Sequence, residues 1–280
     1  MKNTDLMMPD RNLDYQDISR ELPKWIHEQS LDKWLVIWVS GWIDSAVVST
    51  LSAMSWKALT ALELPIHQKS AEVDRAKEHI EWLKSKFSNV TSQIIDLTQV
   101  YDAMKELQYP WENEESEYLS DVNLRSRLRA AQLYATANRK NALVMGTGNK
   151  VEDYGIGFFT KFGDGAVDLS PIWELYKSEV YKLWKELWIS ADILAARPTD
   201  WLHPNGATDE DQIGCSYDEL EWAMGEYDAW NRLQDFTGRA AQVMKIYTQR
   251  HEWNAHKMQM PPVFRVCDPT KSPAYYDVHQ

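Results

Sequence analysis

Glycine is scarce in this chain. Its 280 residues include 11 glycines, where average usage of about 7% would give roughly 20. Tight turns and helix ends, which usually call on glycine, must therefore be built here from other residues. Cysteine is nearly absent as well. Cys215 and Cys267 lie far apart and lack metal-ligand spacing, which argues against a disulfide scaffold or zinc cluster and fits a reducing compartment. No stretch approaches about 18 consecutive apolar residues, and residues 1–10 carry no apolar signal-like segment, so neither a membrane span nor a secretory leader is expected. Positive charge is also short. With 30 Lys and Arg against 42 Asp and Glu, the net charge is −12, and no basic run interrupts it. Such a field repels a polyanionic backbone, so nucleic-acid partners are not expected. The chain reads as soluble and cytoplasmic.

What it has in excess is tryptophan, 14 residues in all. Several fall where turns are expected: Trp56 between a helix and a strand, Trp188 at an apparent helix end, Trp201 and Trp230 in polar connectors. The hydrophobic share of 44% is enough for a sizeable core. At about 150 residues per domain the length allows one large α/β domain or two small ones. No internal repeat or clear boundary appears, so a single domain over 1–280 is expected, with a flexible tail at 268–280.

Periodicity gives the order of elements. Brief branched runs at 35–39, 58–64, 91–95 and 142–145 predict strands, and helical spacing predicts helices over 14–29, 45–54, 72–86, 123–138, 175–187, 217–227 and 235–250. Residues 109–120, acidic and aromatic without period, predict a surface loop. So do residues 158–171, dense in glycine, charge and aromatics, which suggest a functional loop. Strands alternating with helices imply right-handed crossovers and a doubly wound parallel sheet with helices on both faces. Ligands of such sheets bind beyond the carboxyl ends of the strands.

Two turns fall at such ends. Ser40-Gly-Trp-Ile-Asp-Ser45 joins the first strand to the next helix, where outward backbone N–H groups and the helix dipole suit a phosphate. Ser40 and Ser45 add hydroxyl donors, and Asp44 suits a magnesium ion bridging phosphates. The absence of a Gly-Lys-Ser/Thr ending argues against kinases and GTPases. Taken alone, the pattern also fits an ordinary capped turn. Gly146-Thr-Gly-Asn-Lys-Val-Glu152 follows the fourth strand and again sets small residues and a carboxylate at a carboxyl end.

The first turn resembles the Ser-Gly-Gly-x-Asp-Ser loop of the ATP pyrophosphatases. The longer run Gly146-Thr-Gly-Asn, Glu152, Phe158-Phe-Thr-Lys-Phe-Gly-Asp-Gly, Asp168, Pro171, Leu175 and Lys177 resembles the ammonia-dependent NAD synthetases, a likeness extending over most of 20–265. That resemblance implies an adenine nucleotide alpha-hydrolase-like fold and a homodimer. It also implies amidation of nicotinic acid adenine dinucleotide (deamido-NAD) by ammonia, with ATP as co-substrate and Mg2+ as cofactor. Nothing like an amidase domain precedes residue 34, so ammonia rather than glutamine is the expected nitrogen source. By resemblance, ATP is bound by Ser40, Gly41, Asp44, Ser45, Thr147, Lys177 and Thr199, and the metal by Asp44 and Glu152. Deamido-NAD is bound by Arg127, Lys161, Asp168, His256 and Lys257, with Asp44, Lys177 and Asp168 catalytic. On their own residue types, Arg127 and Lys177 would read as surface charges, His256 as a loop histidine and Asp168 as a turn cap.

Trp38 and Trp42 depart from that family's Gly-x-Ser-Gly-Gly-x-Asp-Ser loop at two of its glycines. Trp56 and Trp188, and more loosely Trp34, Trp173, Trp184, Trp201 and Trp230, stand at further glycine-like places. An indole at 42 is expected to fill volume where a pyrophosphate approaches the backbone and so to impair turnover. The competing expectations are a binding protein that keeps the fold without catalysis, and another ligase or amidotransferase of the ATP pyrophosphatase type.

Overall fold

The computed structural model describes residues 6–8, 10–68, 70–107, 113–190 and 209–264. Thr199, Trp201 and the tail at 268–280 lie outside the described residues. Helix α1 (Tyr15–Gln29) starts where the Asp14 carboxylate accepts the Asp17 N–H, an N-cap that satisfies one orphan donor of the first turn. It leads into β1 (Trp34–Trp38), α2 (Ile43–Met54), β2 (Leu59–Glu63), α3 (Ser70–Lys86), β3 (Val90–Ile94), α4 (Thr98–Glu106), α5 (Glu114–Lys140) and β4 (Ala142–Val144). A single π-helical turn (Lys150–Gly155) follows, then α6 (Lys177–Glu186), α7 (Asp209–Ile213), α8 (Tyr217–Asp228) and α9 (Gly238–Asn254).

The four strands form one parallel sheet in the order β3-β2-β1-β4. Alternation along β1 sorts the core into two layers. Leu35 and Ile37 face one side, packing with Ala46, Val47 and Leu51 of α2, Ile80 and Leu83 of α3, Val180 and Leu183 of α6, and Ile26 of α1. Val36 faces the other side, with Leu62, Val144, Tyr101 of α4 and Leu133 and Ala137 of α5. The sheet is therefore covered on both faces, as the unbroken apolar run of β1 requires. A second core joins Val151 and Ile156 of the π-helical region to Leu220 and Met224 of α8 and Val243, Met244 and Tyr247 of α9. Among the described residues no helix is long and apolar enough to cross a membrane.

Chain order along the sheet reverses between β1 and β4, so the crevice at their carboxyl ends is the switch point where such sheets bind ligands. Both turns singled out in the sequence open there, after Trp38 and after Val144.

One expectation needs correction, and two features were not foreseen. The loop expected over 109–120 is in part helix: α5 begins at Glu114, because Asn113 caps it by accepting the Ser116 N–H at 2.9 Å. Helix α4 was not expected, since only Leu97 and Tyr101 mark its buried side. The loop at 158–171 joins the sheet at one point, where Leu169 bridges Met145 in parallel and its carbonyl accepts the Gly146 N–H at 2.7 Å.

Seven of the tryptophans divide into two groups. Trp56, Trp188 and Trp230 have φ of 61°, 55° and 64°. Each is the residue just past a helix C-cap, after Ser55, Leu187 and Ala229. Each donates its N–H back to a carbonyl of the last turn, of Ala53, Lys185 and Tyr227 respectively. That is the left-handed closing position that favours glycine. Trp34 and Trp38 lie in β1, Trp184 lies in α6, and Trp42 is the N-cap of α2 with φ −107°. None of these four is left-handed, so none carries the strain of a positive φ.

Candidate active site

The turn after β1 is closed by its own side chains. Gly41 sits at φ 84°, which lets the chain reverse before α2. The Ser45 hydroxyl donates to the Trp42 carbonyl at 2.9 Å, so its oxygen is left to accept from the Ser40 hydroxyl at 2.9 Å and the Ser40 N–H at 3.2 Å. The first turn of α2 then projects Asp44, 9% exposed, toward β4. The Trp42 ring stacks under the Arg75 guanidinium, 4.8 Å from its centroid. Arg75 Nε and Nη2 are buried there without hydrogen-bond partners.

On the facing turn, Asn149 caps the π-helical turn by accepting the Glu152 N–H at 3.1 Å. Gly148 is required by a close approach: a Cβ there would lie 1.7 Å from Asp153 Oδ2. The π-helical turn carries Glu152 toward Asp44, and Lys177, first residue of α6 and 2% exposed, reaches in between them. Its ammonium donates to Asp44 Oδ2 at 2.5 Å and to Glu152 Oε1 at 3.0 Å. The buried Asn149 amide donates to Asp44 Oδ1 at 3.3 Å and Glu152 Oε2 at 2.7 Å. The Tyr217 hydroxyl donates to Glu152 Oε1 at 2.6 Å, and its ring lies 5.1 Å from the ammonium. Every carboxylate oxygen of the pair thus has a donor.

The electrostatics follow from burial. Burial disfavours the Lys177 ammonium, but the charges of Asp44 and Glu152 outweigh it and hold the group above its ordinary range. Burial raises the Asp44 carboxyl, with the Lys177 charge opposing. Asp153 is raised well above the usual carboxylate range, by burial first and then by the charges of Asp164, Glu152 and Asp44. The donor set facing Lys177 is all oxygen, the kind a hard divalent cation takes.

The other residues singled out in the sequence lie elsewhere. Thr147 lines a cavity of about 30 Å³ with Trp38, Arg129, Gly163 and Asp164. Arg127 Nε donates to the Lys161 carbonyl at 3.3 Å, and the Lys161 ammonium donates to the carbonyl of the exposed His256. Lys257, just after it, donates to the carbonyls of Gly157 and Phe159 at 2.8 and 2.9 Å. These four residues gather around the loop at 157–162, apart from the Asp44 cluster. Asp168 belongs to neither group. Its carboxylate accepts the Val144 N–H at 2.8 Å and the Tyr134 hydroxyl at 3.2 Å, tying the end of β4 to the following loop. Asn149 and Tyr217 were missed as site residues. Asn149 stood inside the motif already quoted, whereas nothing in the sequence around Tyr217 marks it.

A protein-family model described as NAD synthase matches residues 14–261. The NH3-dependent NAD+ synthetase of Methanosarcina acetivorans is 35% identical over 235 residues, covering 81% of this chain and 88% of that protein. Among solved structures, an NMN synthetase from Francisella tularensis superposes with a TM-score of 0.77 at 29% identity, covering 90% of this chain and 99% of that one. An NH3-dependent NAD synthetase from Campylobacter jejuni superposes with a TM-score of 0.72 at 26% identity, over 90% and 100% respectively. With a phosphate-type turn and a largely buried acid pair meeting at the switch point of a doubly wound sheet, and with residues 14–261 matched by the family model, this chain belongs to the NAD synthase family.

Proposed function

We propose that this chain is a ligase that amidates deamido-NAD with ammonia, consuming ATP and releasing NAD, AMP and pyrophosphate. The observation that carries the reading is the meeting of Asp44, Glu152 and Lys177 beside the Ser40–Ser45 turn, supported by the similarity to NH3-dependent synthetases. A carboxylate is a poor electrophile. The nicotinate oxygen first attacks the α-phosphorus of ATP, forming an acyl-adenylate as the bond to pyrophosphate breaks. Ammonia then adds to the acyl carbon, loses a proton, and expels AMP. Charge that builds on the β- and γ-phosphates in the first step meets the Ser40 and Ser45 hydroxyls, the N-terminus of α2 and the Lys177 ammonium. Magnesium held by Asp44 and Glu152 would add further neutralisation there.

We assign Gly41, Thr147 and Thr199 to the ATP side as well, and Arg127, Lys161, His256 and Lys257 to the acceptor nucleotide. Asp168 acts by position, through the end of β4 that it anchors. The family match over 14–261 supports one catalytic unit. A homodimer in the cytoplasm completes the reading, with sedimentation velocity as the check on the dimer.

A second acceptor is favoured by the similarity to the Francisella tularensis NMN synthetase: nicotinic acid mononucleotide in place of the dinucleotide. Mass spectrometry of reactions holding ATP, ammonium and one or other acceptor decides between them. Formation of NAD with stoichiometric AMP supports the dinucleotide, and preferential formation of the mononucleotide amide replaces it. No AMP with either acceptor would leave the chain a binding protein, the outcome that an obstructing Trp42 would produce.

A further inference from the structure

We propose that the Lys177 ammonium and a divalent metal ion exchange on one carboxylate pair, so that the nucleotide-free enzyme excludes the metal and takes it up only together with ATP. This rests on the reading of ATP as co-substrate given above.

The geometry points to exchange rather than coexistence. Asp44 and Glu152 present four oxygens, and each already accepts a hydrogen bond: two from the Asn149 amide, two from Lys177, with Tyr217 sharing Glu152 Oε1. Among the described residues Lys177 is the only cation bonded to the pair, and it is 2% exposed. Asp44 is buried and the Glu152 side chain is 16% exposed, so the two carboxylates without a cation would be strongly unfavourable, and the ammonium is the counter-charge that keeps the pair folded. A metal ion added beside it would meet a nearby positive charge and oxygens already engaged. Asn149 and Tyr217 are neutral and make no comparable barrier.

Lys177 can leave. Its backbone is fixed at the start of α6 by the N-cap at Tyr176, but its four-carbon stem is rotatable. The Ser40–Ser45 turn adjoins Asp44, so phosphates seated there bring negative charge within reach of a lysine that gives up the carboxylates. Nucleotide therefore supplies the new partner for Lys177 and opens the pair to the metal in one event. By linkage the metal strengthens nucleotide binding by the same factor.

Manganese serves as the probe, with bound ion read by electron paramagnetic resonance on the full chain without nucleotide. The expected result is little binding by the unaltered protein and binding on the order of tenfold or more tighter by Lys177→Met, lost again when Glu152→Gln is added to Lys177→Met. Manganese binding by the unaltered protein as tight as by Lys177→Met overturns the exchange. If Lys177→Met fails to fold by circular dichroism, the unaltered protein decides by thermal unfolding. Magnesium alone should leave the melting temperature unchanged, while magnesium with a β,γ-methylene analogue of ATP should raise it beyond the analogue alone. An equal rise with magnesium alone also overturns the proposal. Turnover of deamido-NAD to AMP and NAD is measured separately. An active enzyme that binds free metal would defeat the exchange and leave the function standing, whereas an inactive one with the expected metal behaviour would do the reverse.

Discussion

A tryptophan one residue past a helix C-cap is a costly way to end a helix. A left-handed backbone costs an L-residue roughly 1–2 kcal/mol, while glycine there surrenders about 0.5–1 kcal/mol of extra chain entropy. Trp188 is 87% exposed, so its ring gives little in return. Trp188→Gly should stabilise the protein by roughly 0.5–1 kcal/mol and raise the melting temperature by a few degrees; a lower melting temperature would refute the strain account. Trp56 and Trp230 should gain less, since the first touches Phe87 edge-on and the second lies under Arg232 at 5.2 Å. Trp38→Gly and Trp42→Gly relieve no such strain and forfeit the Arg129 and Arg75 contacts. Any benefit at those two positions belongs to ligand access. The opposite experiment applies at Gly148, where a methyl would collide with the buried Asp153 carboxyl. Gly148→Ala is expected to cost about 1–3 kcal/mol through overpacking. It should lower AMP production more than stability, because the displaced segment carries Asn149 and Glu152. Both glycine arguments were half legible: the scarcity of glycine and the placing of Trp56 and Trp188 at helix ends were plain in the sequence. Which tryptophans are left-handed depends on backbone angles that composition does not encode.

Between elements, α2 and α3 are joined by a polar contact inside the core. The Ser49 hydroxyl donates to the Ala46 carbonyl at 3.1 Å, so the His79 Nε2–H donates to Ser49 at 2.9 Å, and Nδ1 is left buried without a partner. Only a neutral imidazole suits that arrangement, and burial lowers the His79 pKa to about 4. The folded value lies below the unfolded one of about 6.5, so the unfolded chain binds the extra proton. Stability is then full above pH 6.5 and is lost as pH falls toward 4, by at most roughly 3 kcal/mol for a shift of this size. Denaturant unfolding at pH 7 and pH 4.5 should show a drop in the unaltered protein that shrinks in His79→Leu; an equal drop in both would remove His79 as the cause. At this scale the strands and the two turns after β1 and β4 were readable, because short branched runs ending in small polar residues have few other structures. Helix α4 and the first turns of α5 were not. Their buried positions are few, and Asn113 as a cap looks like any loop asparagine. The pairing of Lys177 with Asp44 spans 133 residues, and the place of Tyr217 beside Glu152 depends on how α8 docks, so only the fold brings them together.

Across the whole molecule, the sheet with its two packed faces and the α8–α9 core are separate clusters, and the acid pair sits on their border. Asp44 belongs to α2 against the sheet, while Tyr217 opens α8 in the other core. Separate cores open separately. Hydrogen exchange should show α8, α9 and the π-helical turn exchanging as one unit of lower stability than β1, β2 and α2, and ATP analogue with magnesium should slow both. Uniform exchange across the two units would refute the division. The strand order has a consequence for synthesis. β1 pairs with β2 on one side and with β4 on the other, but roughly 100 residues separate it from β4, about 5–20 s on the ribosome. Throughout that interval the nascent chain carries Trp34-Leu-Val-Ile-Trp38 with one edge unpaired, an apolar strand free to recruit a neighbour. Chains released after α5 should therefore self-associate, as light scattering would report, while the complete chain seals its own central strand.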